Sequence, residues 1–330
     1  MTGNNRPPLP QPPWSQVIAT TIRLWWQRHV TEPRAGAGRR RRVRQIGVGA
    51  LIVALLAVSA VAVRLATSRS AADDPARAQG QRNESTADTE RLAAAAASRQ
   101  QAAAWIAAQV GRSVIVSCDP LMCTALAQQG FPAANLASLG PSTADPLGSG
   151  IVVSTAAIRN ELGTRLASVY APLVIAAFGS GQNLVQVRVV APDGAAAYLA
   201  ALRADVQARR AAGHELLANK NVRTTAVARG QLAAGQVDVR LLITLVGLAH
   251  KNRIDIRSFG DAGPGAAPGA PLRSMTITAT TAAYRRQVQA FLRAQRAPLL
   301  AQTSLQQAGK AVVLTIEFPA PAPLGLLSQN

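Results

Sequence analysis

Cys118 and Cys123 stand in the run Cys-Asp-Pro-Leu-Met-Cys and are the only two cysteines of the chain. Two thiols so placed could close a local disulfide, or form a redox pair activated at a helix N-terminus. Asp119 suits an N-cap and Pro120 a first helical position, so both sulfurs fall where a strand turns into a helix. The Cys-x-x-Cys spacing of thioredoxin-like enzymes is missing. A structural disulfide in an oxidising compartment is therefore expected.

Other chemistry has thinner support. His214 and His250 are far apart, in no His-x-x-x-His or Cys-His spacing, and each is expected as a cation near a helix end; no metal and no cofactor are predicted. Phe178-Gly179-Ser180-Gly181 resembles part of a nucleophile elbow but lacks its first Gly, and it is read as a turn after a helix. Asp119, Asp145, Asp193, Asp238, Asp255 and Asp261 offer no pair at a fixed spacing for general acid and base work. The loop Gly260-Asp261-Ala262-Gly263-Pro264-Gly265 has no following Lys-Ser/Thr, so a phosphate cradle is not expected there.

The elements that must position these residues alternate. Strands are predicted at 113–118, 150–154, 184–191, 221–225, 253–259, 274–280 and 311–318. Helices are predicted near Pro120–Gln129, Ala156–Ala167, Ala171–Phe178, Ala195–Ala212, Ala226–Ala233, Val237–Lys251 and Ala282–Ala297. This is an α/β (or α+β) pattern in layers. An internal duplication is also expected. At a spacing of 70, Thr155, Ala156, Arg159, Leu162 and Val169 match Thr225, Ala226, Arg229, Leu232 and Val239. At a spacing of 86, Tyr198, Leu202 and Val206 meet Tyr284, Val288 and Leu292. Units at 105–212 and 213–320 follow, with a link at Gly213–Lys220 and a disordered tail at 321–330. The second unit carries sixteen extra residues about SFGDAGPGAAPGAPLR. Arg257, Asp261 and Arg273 flank or lie in that loop and are the candidates for contact with a ligand or partner at the seam between the units.

The chain has 330 residues, 48% of them hydrophobic and only 4% aromatic, and a net charge of +19. Length and composition exclude a disulfide-stapled miniprotein and wholesale disorder. Residues 46–63 read IGVGALIVALLAVSAVAV, long enough to span a bilayer as a helix, within a predicted span of 46–64. Arg39, Arg40, Arg41, Arg42 and Arg44 precede it, and residues 1–45 hold nine Lys+Arg against one acidic residue. The positive-inside rule then places the N-terminus in the cytoplasm and the large C-terminal part outside. A signal peptide cut near Ala60-Val61-Ala62 is the alternative. The arginine block is expected on anionic lipid headgroups, beside a Pro-rich tail and an interfacial helix near 17–30. A nucleic-acid partner is not expected, since no recognised module accompanies the basic arm. Residues 65–90 read as a tether and 91–110 as a helix docked by Trp105 and Ile106, within a stalk placed at 65–104.

Two resemblances accompany this reading. The run VDVRLLITLVGLAHKNRIDIRSFGD with the following PLRSMTI resembles the core of zinc D-Ala-D-Ala peptidase-like domains. Where that family places His and Asp, this chain has residues such as Ala267 and Thr276, so the resemblance implies a domain without the zinc site. Residues 100–320, with CDPLMC, DPLGS, VYAPL and FGDAGPG, resemble single-pass membrane proteins of high-GC Gram-positive bacteria that have no assigned activity. That likeness implies a place at the cell envelope. The expectation is a non-catalytic extracytoplasmic domain that binds an envelope protein or polymer, the alternative being a peptidoglycan-directed hydrolase.

Overall fold

The computed structural model describes residues 75–140, 145–250, 252–261, 264–279, 281–308 and 311–327. The Pro-rich tail, the arginine block of Arg39, Arg40, Arg41, Arg42 and Arg44, and the apolar run 46–63 lie outside the described residues. Among the described residues, no helix is long and apolar enough to cross a membrane.

Helix α1 covers Pro75–Gln109, so helix rather than extended tether already begins at Pro75. Its Ala-rich second half has strong helix propensity and lets other elements approach closely. It buries Ala102, Ala103, Trp105 and Ile106 against the first sheet. That sheet orders β2 (Leu136–Ser138), β1 (Val116–Cys118), β3 (Ile151–Ser154), β5 (Val185–Val189) and β4 (Leu173–Phe178). β1 runs parallel to β2 and β3, whereas β5 is antiparallel to β3 and β4. Both faces of this sheet are covered. Val116, Ile151, Val153 and Val187 meet α1 and helix α2 (Pro120–Gln128). Val152 and Val190 meet Ile158 and Leu162 of α3 (Ala156–Leu162) and the π-turn residues Leu166 and Tyr170. Burial on both sides explains why β3 is apolar at every position but its last.

The second sheet orders β6 (Val222–Thr224), β7 (Ile254–Gly260), β8 (Ser274–Ala279), β10 (Ala311–Glu317) and β9 (Gln302–Ala308). Only β6 and β7 are parallel. Its apolar residues, among them Ile254, Ile256, Met275, Ile277, Leu314 and Ile316, share one core with helices α4 (Ala195–Ala218), α5 (Ala226–Ala233), α6 (Val239–Ala249) and α7 (Ala282–Arg293). Strict alternation in Ser-Met-Thr-Ile-Thr-Ala turns the hydroxyls of β8 to the other face.

Among the described residues the architecture is mixed α/β, with two five-stranded sheets. Several expected boundaries shift. The run Leu173–Phe178, expected as helix, is strand β4: a short apolar run suits a buried helix and a buried strand equally, and pairing with β5 decides it. The link expected at Gly213–Lys220 begins inside α4, which continues to Ala218. The tail expected to be disordered packs through residue 327, where Gly325 N–H donates to Asp205 Oδ1 at 3.1 Å and Leu327 joins the second core. Thr155 and Thr225 do stand alike, each before a helix that follows a strand. The strand pairing is not repeated, however, since β3 neighbours β5 antiparallel and β6 neighbours β7 in parallel.

Part of the loop between β7 and β8 is docked on the first sheet. Ala177 N–H donates to Gly265 O at 2.7 Å and Ala267 N–H to Ile175 O at 3.0 Å, so this stretch continues the sheet beyond β4. Gly265 adopts φ +97°, and a Cβ there would meet the Phe178 ring at 2.2 Å, which is why only glycine fits.

Candidate functional site

Cys118 ends β1 and Cys123 lies in the first turns of α2, and the two are joined by a disulfide with Cα atoms 5.4 Å apart. Asp119 caps α2 by accepting from Met122 N–H at 3.0 Å, and its second oxygen accepts from the Thr155 hydroxyl at the head of α3. The bridge thus braces a joint between two helix starts. Cys118→Ser is expected to lower stability by about 2 kcal/mol, the low end for a loop this short. Urea unfolding measures this, and iodoacetamide should label neither sulfur in the native, unreduced protein.

Of the three residues expected at a ligand-contacting loop, the structure turns two inward. Arg273 donates to Asp261 Oδ1 at 2.6 Å and to Phe318 O at 2.9 Å, and its guanidinium lies 5.6 Å from the Trp105 ring. Their side chains are only 3% and 8% exposed. A guanidinium seated against Trp105 needs a nearby anion and carbonyl acceptors to offset its lost hydration, and it finds them inside the fold. The same economy appears elsewhere. Arg240 pairs with Asp238 at 2.7 Å, donates to Pro319 O and lies over the Phe318 ring. Arg209 pairs with Asp205 at 2.7 Å and donates to Gly235 O. Arg188 donates to Ala171 O and to Gln186 Oε1, and burial lowers its pKa. These arginines join elements.

The seam between the two sheets holds a narrow cleft, with room for about one water molecule. Leu173, Ile175, Tyr198, Pro271, Arg273 and Leu324 are among its walls. Burial, with Asp205 adding to it, pushes the Tyr198 hydroxyl up to about 12. The concave site expected at this seam is therefore small and apolar.

Arg257 is placed differently. It is the extra residue of a bulge, because the β7 to β8 register steps from Ile256↔Ile277 to Ser258↔Thr276. It is exposed and donates from Nε to Thr278 Oγ1 at 2.7 Å, across the sheet face that the described helices leave uncovered. On that face the register lines up Ser258, Thr276, Thr315 and Ser304, one hydroxyl from each of four adjacent strands. Arg223 faces Asp255 on β6 and β7, and Glu317 faces Gln302 on β10 and β9. The result is a polar surface with hydroxyl, amide and charged groups of both signs. Its signal in the sequence is the alternation within β8, not any spacing of catalytic residue types.

Ser180 is exposed in the turn between β4 and β5, after a strand rather than the expected helix and before a one-turn helix and another strand. That is not the strand-to-helix setting of a nucleophile elbow. His214 lies one turn before the end of α4, and His250 follows the last residue of α6 as its C-cap. Among the described residues, no group of three or more His, Cys, Asp or Glu side chains could hold a metal ion. No family model, curated protein or solved structure matches the chain.

Proposed function

We propose that this chain is a single-pass membrane protein of a bacterial cell envelope, with its N-terminus in the cytoplasm and a non-catalytic binding or scaffold domain outside. The polar face of the second sheet, uncovered among the described residues, carries the reading. The first sheet is buried on both sides, while on one face of the second, in a fixed register, Arg257 and Ser304 are exposed and Thr276 and Thr315 half-buried. Such a face can meet an extended polar partner, an envelope protein or polymer, by many modest hydrogen bonds. The arginine block and the apolar run of the sequence supply the anchor in this reading, with anionic lipid headgroups held by Arg39, Arg40, Arg41, Arg42 and Arg44.

Two measurements test it. Protease added to intact spheroplasts is expected to remove the region after residue 65 and to spare the first 45 residues; protection of the C-terminal part overturns the orientation. A photo-cross-linking residue at Thr276 or Thr315 in cells is expected to capture an envelope component that the same residue at Gln289, on helix α7, does not. Equal capture at both places, or none at the sheet face, overturns the binding surface.

A further inference from the structure

The four sheet edges are not treated alike. β2 and β6 are three residues long, and β4 is covered in part by residues 265–267. β9 is seven residues long, pairs with β10 along its whole length, and has no described strand beyond it. Residues 302–307 are all exposed, and Gln-Thr-Ser-Leu-Gln-Gln-Ala contains neither a charge nor a proline. Proteins ordinarily blunt such an edge with lysine, proline, a bulge or a cover. Among the described residues none of these devices is present along the strand.

We infer that β9 pairs antiparallel with β9 of a second copy of this chain, about a two-fold axis at Leu305. The inference deepens the proposed binding function and rests on it, because the pairing would join two open faces into one. Three observations favour a second copy as occupant. Phe318 N–H donates to Arg273 O at 3.0 Å in line with the β8–β10 pairs, so Leu314 and Ile316, an even number of residues back, also address β8, and Val313 and Thr315 between them address β9. Bonded and non-bonded pairs alternate along the ladder, so Ser304 and Gln306 address β10 and Leu305 directs its own N–H and C=O outward. Leu305 is also the middle residue of the strand, so its outward groups can bond their own images in a register that uses the full length. The Leu305 side chain, 45% exposed at the sheet margin, then gains an apolar neighbour in its image.

Charge points the same way. The chain carries +19, yet this register sets Ser304 against Gln306 and Leu305 against itself, with no two like charges opposed. Because the axis stands perpendicular to the sheet, both copies keep their polar faces on one side, and two five-stranded sheets become one of ten strands. A partner long enough to cross the seam would engage two equivalent faces, which raises avidity without new contacts.

The test uses the full chain purified in detergent. Opposed residues of a bonded pair lie about 5.5 Å apart at Cα, within disulfide reach. Leu305→Cys is therefore expected to give a covalent dimer under mild oxidation. Ser304→Cys alone and Gln306→Cys alone should not, whereas a mixture of the two should cross-link. Leu305→Pro removes an outward donor without touching the ladder to β10, and it is expected to halve the mass seen by light scattering while leaving the circular dichroism unchanged. Monomers from Leu305→Cys, or equal cross-linking by Ser304→Cys alone, overturn the pairing. If Leu305 cross-links while the sheet face captures nothing, the binding reading fails and the pairing stands; capture by a chain that stays monomeric has the opposite meaning.

Discussion

Arg273→Met is expected to lower the unfolding free energy by about 3–5 kcal/mol, the usual loss when one member of a buried ion pair is removed. The substitution keeps much of the side-chain volume and deletes the charge. It takes from Asp261 a cation at 2.6 Å, from Phe318 O a donor at 2.9 Å, and from the Trp105 ring its guanidinium neighbour. These partners belong to separate parts of the chain. Trp105 is on α1, Asp261 follows β7 and Phe318 follows β10. Nearby, Ala320 N–H donates to Gln109 O and Gly111 N–H to Ala320 O, so the end of α1 and the C-terminal segment are already laced together. Losing the cation should loosen that junction.

A double-mutant cycle separates the pair from the packing. Asp261→Leu with Arg273→Met is expected to cost clearly less than the sum of the single changes, since the desolvation of both charges is relieved together. Urea unfolding of the four proteins, followed by circular dichroism, measures it. A loss below about 1 kcal/mol for Arg273→Met would show that Arg273 does not join these segments.

What the sequence made legible follows from where side chains alternate. In Ser-Met-Thr-Ile-Thr-Ala and Ile-Asp-Ile-Arg the strands are read correctly because one face is dry and the other wet. Leu173–Phe178 fails that test, being apolar on both sides, and its state is set by β5 and by the stretch at Gly265. β9 fails for the opposite reason. Gln-Thr-Ser-Leu-Gln-Gln-Ala has little intrinsic strand preference, and pairing to β10 imposes the conformation. Among the candidate residues, Arg257 lies on an alternating strand and reaches the open face. Asp261 and Arg273 flank a Gly/Pro-rich stretch that reads as a free surface loop, yet part of that stretch is a sheet extension and its two ionic ends are buried together. Long-range partners such as Trp105 and Phe318 decide this, and nothing local announces them.

Gly213→Ala sets two local rules against each other, and packing is expected to win. In an exposed helix interior, Ala in place of Gly stabilises by about 1 kcal/mol. Gly213, however, is buried where α4 crosses α5, and a Cβ there would lie 2.2 Å from Leu232 O and 2.9 Å from its carbonyl carbon. Backbone cannot turn aside as a side-chain tip can. Leu232 is itself fully buried, and its carbonyl accepts from Gly235 N–H at 3.1 Å, so the contact can be relieved only by moving one helix away from the other. Overpacking of this kind costs about 1–3 kcal/mol, and contact with main chain places Gly213→Ala at the upper end. Gly230→Ala supplies the contrast. That glycine is exposed on α5, and no atom lies within 4 Å of the Cβ it would gain, so propensity acts alone and stability should rise by up to about 1 kcal/mol. Thermal melts of the two variants should therefore move in opposite directions, although both exchange the same residue on helices in contact. A rise for Gly213→Ala would mean that α4 and α5 are not held at backbone distance.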